Sequence, residues 1–426
     1  MIGYSISSKA LQKRFKGFWK RIDMKKFLFI VGDGMADRTS EIRSFTPLEW
    51  ANTPNMDYIA AEGINGLLNA IAPGIAPGSA EAHLSMLGYD YTKIKNGRGF
   101  FEALGAGLIP MIGDIVFRCN FATINKEFDI IDARAGRIRE RVGILADLIK
   151  RELNEIDSVE LLFQESLDFR GSLILRGKNC SSEVICPKIM QNGEKAIIKP
   201  VNDSKSAIRT TKILNEFIET SYELLRDHSI NVTRKTQNKF PANVVIPWKG
   251  GYVSDLRAPP NNWNLKGACV GAVSLIKGLC KFINMTVVDV PEATGYIDTN
   301  VYAKASAALN LLEDHDLVLL HIEGPDEAGH DGDFEGKVEI IEKIDCMVGL
   351  LLDQIAWEEL YIILVSDHAT PVDYKDHTAD PTPISIYGTK IKKDKVKAFN
   401  EKAASKGGLS RICGERIMPL LFDLTK

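Results

Sequence analysis

The sequence has no apolar run of the roughly 18–20 residues that a membrane-crossing helix needs. Neither sign of charge dominates. Lys+Arg number 53 against 56 Asp+Glu, a net charge of −3, so no field of one sign points to nucleic acid or to an anionic membrane. Cysteine is scarce and unpatterned: Cys119, Cys180, Cys186, Cys269, Cys280, Cys346 and Cys413 contain no CxxC pair. A disulfide framework is not expected, and the spacing excludes a zinc ribbon. Free thiols in a reducing, cytoplasmic compartment are the expectation. Repeats, low-complexity blocks and a Walker-type phosphate loop are also missing.

What is present is a chain of 426 residues, 45% of them hydrophobic. That is too long for one ordinary compact domain, and two are expected. Residues 1–23 are basic and somewhat amphipathic, with Leu11, Phe15, Phe18 and Ile22 at helical spacing. They read as an extension ahead of a compact sequence that begins at Met24, a stretch upstream of the true start or a poorly ordered tail.

Strand-like and helix-like stretches alternate from there on, which argues an α/β fold. FLFIV at 27–31 is a fully apolar strand ending in Gly32-Asp33-Gly34. LVLLHIE at 317–323 ends in Gly324-Pro325-Asp326, YIILVS at 361–366 ends in Asp367-His368, and ISIYG at 384–388 makes a fourth. Continuous apolar runs suit a mostly parallel sheet covered by helices on both faces. The middle of the chain has weaker strands, many basic residues beside glycines, and helical stretches near 138–156 and 205–226. It reads as a smaller α/β domain, residues 94–284, inserted into a domain made of 24–93 and 285–426.

The ends of the apolar strands carry the chemistry. Asp33 follows one; Asp326 and His330 follow a second; Asp367 and His368 follow a third, with His377 in the next loop. Loops at the carboxyl ends of parallel strands converge at one edge of an open sheet. Carboxylates gathered there without cations would repel and shift their pKa values upward. Bound metal ions remove that problem, and imidazole with carboxylate suits zinc or manganese. Six such ligands are enough for two ions. Each residue alone is weak evidence, since a lone Asp after a strand commonly caps a helix.

Ser79 is the candidate nucleophile. It follows the Pro77-Gly78 turn and opens a helical stretch, AEAHLSMLG. A hydroxyl at a helix N-terminus meets unpaired backbone N–H groups that hold phosphate well. The plain alternative is that Ser79 caps the helix. His83 lies one turn later and either orients a phosphate or packs.

Several segments are similar to the archaeal type of cofactor-independent phosphoglycerate mutase, in the alkaline phosphatase superfamily. They are FLFIVGDGMADR, PGSAEAHLSMLGYD, VFRCNFAT, DARAGRI, EATGYIDTNVYAKA, GPDEAGHDGDFEGKVEIIEKID and VSDHATP. The resemblance runs from Met24 onward and is most specific in DEAGHDGDFEGK and APGSAEAHLS. It implies an alkaline-phosphatase-like α/β domain with an inserted transferase domain. By carry-over, Asp33, Ser79, Asp367 and His368 hold one divalent metal, and Asp326, His330 and His377 hold the other; manganese, zinc and magnesium all fit. Ser79 takes the phosphoryl group of 3-phosphoglycerate and returns it to give 2-phosphoglycerate, with neither 2,3-bisphosphoglycerate nor nucleotide. Arg118, Arg134, Arg137 and Arg170 are the expected cations for this small phosphorylated hydroxy acid, because a guanidinium binds carboxylate and phosphate bidentately. One departure is Lys249, where relatives are expected to have arginine. Homoserine kinases, phosphohydrolases and phosphopentomutases share the metal and serine pattern and remain alternatives, although a kinase lacks its phosphate loop here. So does a non-catalytic metal-stabilised binding protein, which would show a damaged ligand set.

Overall fold

The computed structural model describes residues 25–188, 193–259, 263–354 and 360–425. The reading of residues 1–23 lies outside them. The strands in chain order are β1 Lys26–Gly32, β2 Ile64–Asn69, β3 Ile115–Ile124, β4 Ile130–Asp132, β5 Glu155–Ile156, β6 Val159–Glu165, β7 Arg170–Arg176, β8 Val184–Ile185, β9 Lys199–Pro200, β10 Val244–Tyr252, β11 Gly267–Val270, β12 Thr286–Val288, β13 Leu317–Ile322, β14 Leu360–Val365, β15 Thr382–Tyr387 and β16 Ser410–Cys413.

Eight of them form one sheet in the order β12-β11-β13-β1-β14-β15-β2-β16. Strands β12, β11, β13, β1 and β14 pair in parallel. The apolar runs follow from burial on both faces, since successive side chains of a strand point to opposite sides. On β1, Phe27, Phe29 and Val31 join one hydrophobic cluster, while Leu28 and Ile30 join the other. Helices Pro54–Glu62, Val301–Asp314 and Phe334–Gln354 contribute to the second cluster. Helices Ser79–Met86, Arg98–Ala106, Ser274–Phe282 and Ile417–Leu424 contribute to the first. Each fully buried Leu, Ile or Phe of this core contributes about 1.5–3 kcal/mol relative to an exposed one. Among the described residues no helix is long and apolar enough to cross a membrane.

The expectation of a mostly parallel α/β sheet with helices on both faces holds, but β15, the ISIYG strand, runs antiparallel to both β14 and β2. Its apolar run reports burial and carries no information on direction. No helix lies between β14 and β15, so the chain returns without the crossover that parallel pairing requires.

A second, antiparallel sheet, β10-β3-β7-β6-β5 with β4 beside β3, has its own core. The long helix Lys205–Leu225 packs on it, its first turn capped by Ser204. The helix expected near 138–156 is shorter, Val142–Glu152, because Arg137 and Arg141 take left-handed backbone conformations before it and β5 begins after it. Strand β11, within the stretch read as inserted, belongs to the eight-stranded sheet. Four residues are too few to show a period. The two sheets meet at the helix pair Arg98–Ala106 and Ser274–Phe282. There the backbones touch: a methyl group on Gly105 would lie 1.9 Å from the Ser274 carbonyl oxygen, and one on Gly278 1.7 Å from that of Phe101.

Candidate active site

The loops after β1, β2, β13 and β14 converge at one sheet edge and bring Asp33, Ser79, Asp326, His330, Asp367, His368 and His377 together. The arrangement hangs on a tight backbone at Gly34, which has φ +57°; a Cβ there would lie 2.6 Å from both Asp326 Oδ1 and Thr370 Oγ1. Behind it the fully buried Lys337 donates to the Ala36 carbonyl at 3.1 Å, to Asp37 Oδ2 at 3.0 Å and to the Thr370 carbonyl at 2.8 Å. It ties the loops of β1 and β14 together.

Hydrogen bonding fixes how each imidazole is presented. His330 Nδ1 meets the Lys375 carbonyl at 2.9 Å, and His377 Nδ1 meets that of Pro77 at 3.0 Å. Carbonyls only accept, so both Nδ1 atoms carry hydrogen. In the neutral rings, Nε2 then turns a lone pair toward Asp326, at 3.4 Å from Oδ2 for His330 and 3.5 Å from Oδ1 for His377. Thr370 gives its hydroxyl hydrogen to Asp326 Oδ1 at 2.6 Å and so accepts from His368 Nδ1 at 3.1 Å. His368 Nε2 is thereby aimed, as a lone pair, at Asp33 Oδ1 (3.0 Å), Asp367 Oδ2 (3.5 Å) and Ser79 Oγ (3.3 Å).

With the rings neutral these are acceptors facing acceptors, a ligand set that suits a bound cation. Asp33 Oδ1 and Asp367 Oδ2 are buried without a hydrogen-bond partner. Burial, with Asp33 and Asp326 close by, holds Asp367 well above the carboxylate range. Burial also raises Asp33, but the neighbouring His321 and His368 bring it well below. Burial lowers His330, yet Asp326 beside it raises it to about 9. Among the described residues, groups that suit metal ions include Asp33 with Asp367 and His368, Asp326 with His368 and His377, and Asp33 with His321 and Glu323. His330 groups instead with Asp376 and His377, on the outer side.

Ser79 is the first residue of its helix and Gly78 is the cap, with no side-chain capping bond. The hydroxyl is therefore free of the plain capping role. It opens on a cavity of about 170 Å³ lined also by Arg98, Glu102, Arg118, Arg134, Arg170, Ser274, Glu323, Asp326, Glu327, His330 and His377. His83 does not line it. Its Nδ1 donates to the Ser79 carbonyl at 2.7 Å, and burial pushes its pKa down to about 3, so the ring is neutral and its contact is with the serine backbone. Arg137 also stays outside the cavity lining, paired with Asp331. Arg118, Arg134 and Arg170 line it, with Arg170 bound to Glu327. Lys249 does not reach it and lies over the Trp248 ring. Near Glu323 lies Lys304, fully buried and donating to the His321 carbonyl at 3.2 Å, its pKa pushed by burial to about 8.

Sequence reasoning missed Thr370, His321, Arg98 and Glu102. His321 Nε2 lies 2.8 Å from Asp33 Oδ2. It ends the β13 apolar run on the face that Leu317 and Leu319 occupy, where a histidine is out of pattern. The pair Arg98 and Glu102 stands at the spacing of an ordinary surface ion pair, which hid it.

A family model for the metalloenzyme superfamily matches residues 25–424. The 2,3-bisphosphoglycerate-independent phosphoglycerate mutase of Methanococcus vannielii is 44% identical over 404 residues, covering 94% of this chain and 98% of the relative. A protein of the same name from Methanocaldococcus jannaschii is also 44% identical, with 94% and 97% covered. The chain belongs to this mutase family. A solved structure from Pyrococcus horikoshii matches with TM-score 0.75 at 36% identity, covering 94% of this chain and 97% of that one. The cofactor-independent phosphoglycerate mutase of Thermoplasma acidophilum matches with TM-score 0.61 at 30% identity, covering 95% and 100%. The chain is thus an enzyme of a metal-dependent mutase family, and the donor set at its sheet edge fits divalent cations.

Proposed function

We propose that the enzyme interconverts 3-phosphoglycerate and 2-phosphoglycerate by way of a phosphoserine at Ser79. The observation that carries this reading is the Ser79 hydroxyl, unencumbered by capping, 3.3 Å from the His368 Nε2 lone pair and opening on an arginine-lined cavity. In this reading Asp33, Ser79, Asp367 and His368 hold one divalent metal, and Asp326, His330 and His377 hold a second. Bound there, the two ions would neutralise the buried carboxylates and make the serine hydroxyl acidic enough to act as a nucleophile.

Ser79 Oγ attacks phosphorus, the bond from phosphorus to the substrate oxygen breaks, and glycerate stays in the cavity. After glycerate turns, its other hydroxyl attacks the phosphoserine and Ser79 is regenerated. No nucleotide and no bisphosphorylated cofactor enters. Backbone N–H groups at the start of the helix Ser79–Met86 face the phosphoryl oxygens, and arginines from the second sheet hold the remainder of the molecule. We read residues up to about 106 and from about 267 as the ligand-bearing domain, and the stretch between as the inserted substrate-binding domain. A cytoplasmic location suits such a substrate and the free cysteines.

The test is incubation of metal-loaded enzyme with 3-phosphoglycerate alone, following 2-phosphoglycerate against inorganic phosphate. Formation of 2-phosphoglycerate, lost on chelation and reduced at least about 10³-fold in Ser79→Ala, is expected. Phosphate release without mutase product would overturn the reading in favour of a phosphohydrolase.

A further inference from the structure

The guanidinium groups around the cavity are not equivalent. Arg170 has Nη2 on Glu327 and Nη1 3.5 Å from the Tyr296 hydroxyl, so its fork is occupied. Arg98 and Arg118 are each bonded to Glu102 through Nε alone, at 2.8 and 2.7 Å, one to each carboxylate oxygen. Among the described residues no protein acceptor meets the Nη atoms of either. The Trp248 ring lies 4.1 Å from the Arg118 guanidinium carbon and fixes its plane.

We propose that Glu102 holds Arg98 and Arg118 as a two-guanidinium clamp for the substrate carboxylate, the anion that is not transferred, and that Arg98 makes the site select a phosphorylated acid over a phosphorylated neutral alcohol. The proposal rests on the mutase reading for the identity of the substrate. Its physical basis is independent of it. One carboxylate between two guanidinium groups leaves one uncompensated positive charge, which one further carboxylate neutralises. The planar end of each guanidinium matches a carboxylate bidentately. The phosphoryl group belongs at Ser79, so a substrate with two anionic groups needs a second cationic site in the same cavity; among the described cavity arginines with Nη atoms to spare, Arg98, Arg118 and Arg134, only the first two are held together by a shared carboxylate.

The local electrostatics agree. Burial raises the Glu102 carboxyl, but Arg118 and Arg98 bring it below its ordinary value. Burial, with Arg98 alongside, lowers Arg118 to about 10; without Glu102 the pair would repel. Both Arg98 and Glu102 stand on the helix Arg98–Ala106, which the Gly105–Gly278 contact seats against its neighbour. The clamp is therefore set by backbone packing and not by a flexible loop.

Calorimetry on the metal-loaded enzyme with D-glycerate and, separately, inorganic phosphate tests the clamp without requiring turnover. Arg98→Met is expected to weaken glycerate at least about tenfold while phosphate affinity stays within about twofold. Arg98→Lys, which keeps the charge and loses the fork, should fall between and guards against misfolding of the first variant. Glu102→Gln, a change at a positioning residue, should weaken glycerate and raise KM for 3-phosphoglycerate more than it lowers kcat. Equal losses of phosphate and glycerate, or glycerate binding unchanged in Arg98→Met, would sink the proposal. Wild-type enzyme that binds glycerate through Arg98 yet gives no 2-phosphoglycerate would uphold the clamp and overturn the mutase reading alone.

Discussion

Single hydrogens decide what the site residues can do. Thr370 has one hydroxyl hydrogen, spent on Asp326, and this obliges it to accept from His368. Thr370→Val removes that constraint, and His368 can then turn a protonated Nε2 toward Asp33. Metal affinity is expected to fall 10- to 100-fold, measured by chelator competition, with activity restored by excess metal; unchanged affinity would refute this role. Glu401, remote from the metal ligands, shows a different effect. Burial raises its carboxyl to about 7 although the Asp37 N–H and the Thr46 hydroxyl donate to it at 2.8 Å each. The ordinary value is 4.5, so the folded state holds an extra proton between those two values, and stability falls as pH rises through them. Glu401→Gln should flatten that slope and stabilise the protein at pH 8 by roughly 1–2 kcal/mol in denaturant titrations; a slope identical to wild type would count against it. Asp33, Ser79, Asp326 and Asp367 were legible because each follows an apolar run or a Pro-Gly turn. Thr370 and His321 act through partners distant in sequence, and one sequence contains no sign of who those partners are.

Elements were legible where a period had room to show. The runs of β1, β13 and β14 revealed burial on both faces, whereas β11 and β12 are too short to register, and direction, as β15 demonstrates, is a property of connections. The crossing of helices Arg98–Ala106 and Ser274–Phe282 was hidden because it is made by glycines, whose contribution is the side chain they lack. Gly105→Ala would drive a methyl group into the Ser274 carbonyl. The expected cost is about 2–4 kcal/mol, read as a lowered denaturation midpoint. The Arg98–Glu102 pair should shift with its helix, so glycerate binding should weaken in the fraction that stays folded. A fully stable variant would mean that the helices can part without cost.

At the scale of the whole molecule, the two sheets meet at the helix pair, and residues from both sides line the cavity. The pairs Arg137–Asp331, Arg139–Asp298 and Arg170–Glu327 run from loops and strands of the second sheet to the ligand-bearing side. That the middle of the chain differs was legible from its basic, glycine-rich composition; where it rejoins the large sheet was not, since β11 carries no boundary signal. Chelation should abolish activity and lower the unfolding temperature by several degrees, because cations bound only to the folded state stabilise it and their loss leaves Asp33, Asp326 and Asp367 buried together. An unfolding curve unmoved by chelator would show that the cluster tolerates its own repulsion. The reversed strand β15 has a consequence for how this chain can vary in length. Surface connections ordinarily absorb insertions, but the one between β14 and β15 leaves and re-enters the sheet at the same edge, with Asp367, His368, Thr370 and His377 spaced along it. Adding or deleting even one residue there would move His377 relative to His368, whose rings now stack 3.7 Å apart. The strand pair β8 and β9 forms a two-stranded sheet of its own that carries none of these residues, so length changes compatible with activity belong on that side of the molecule.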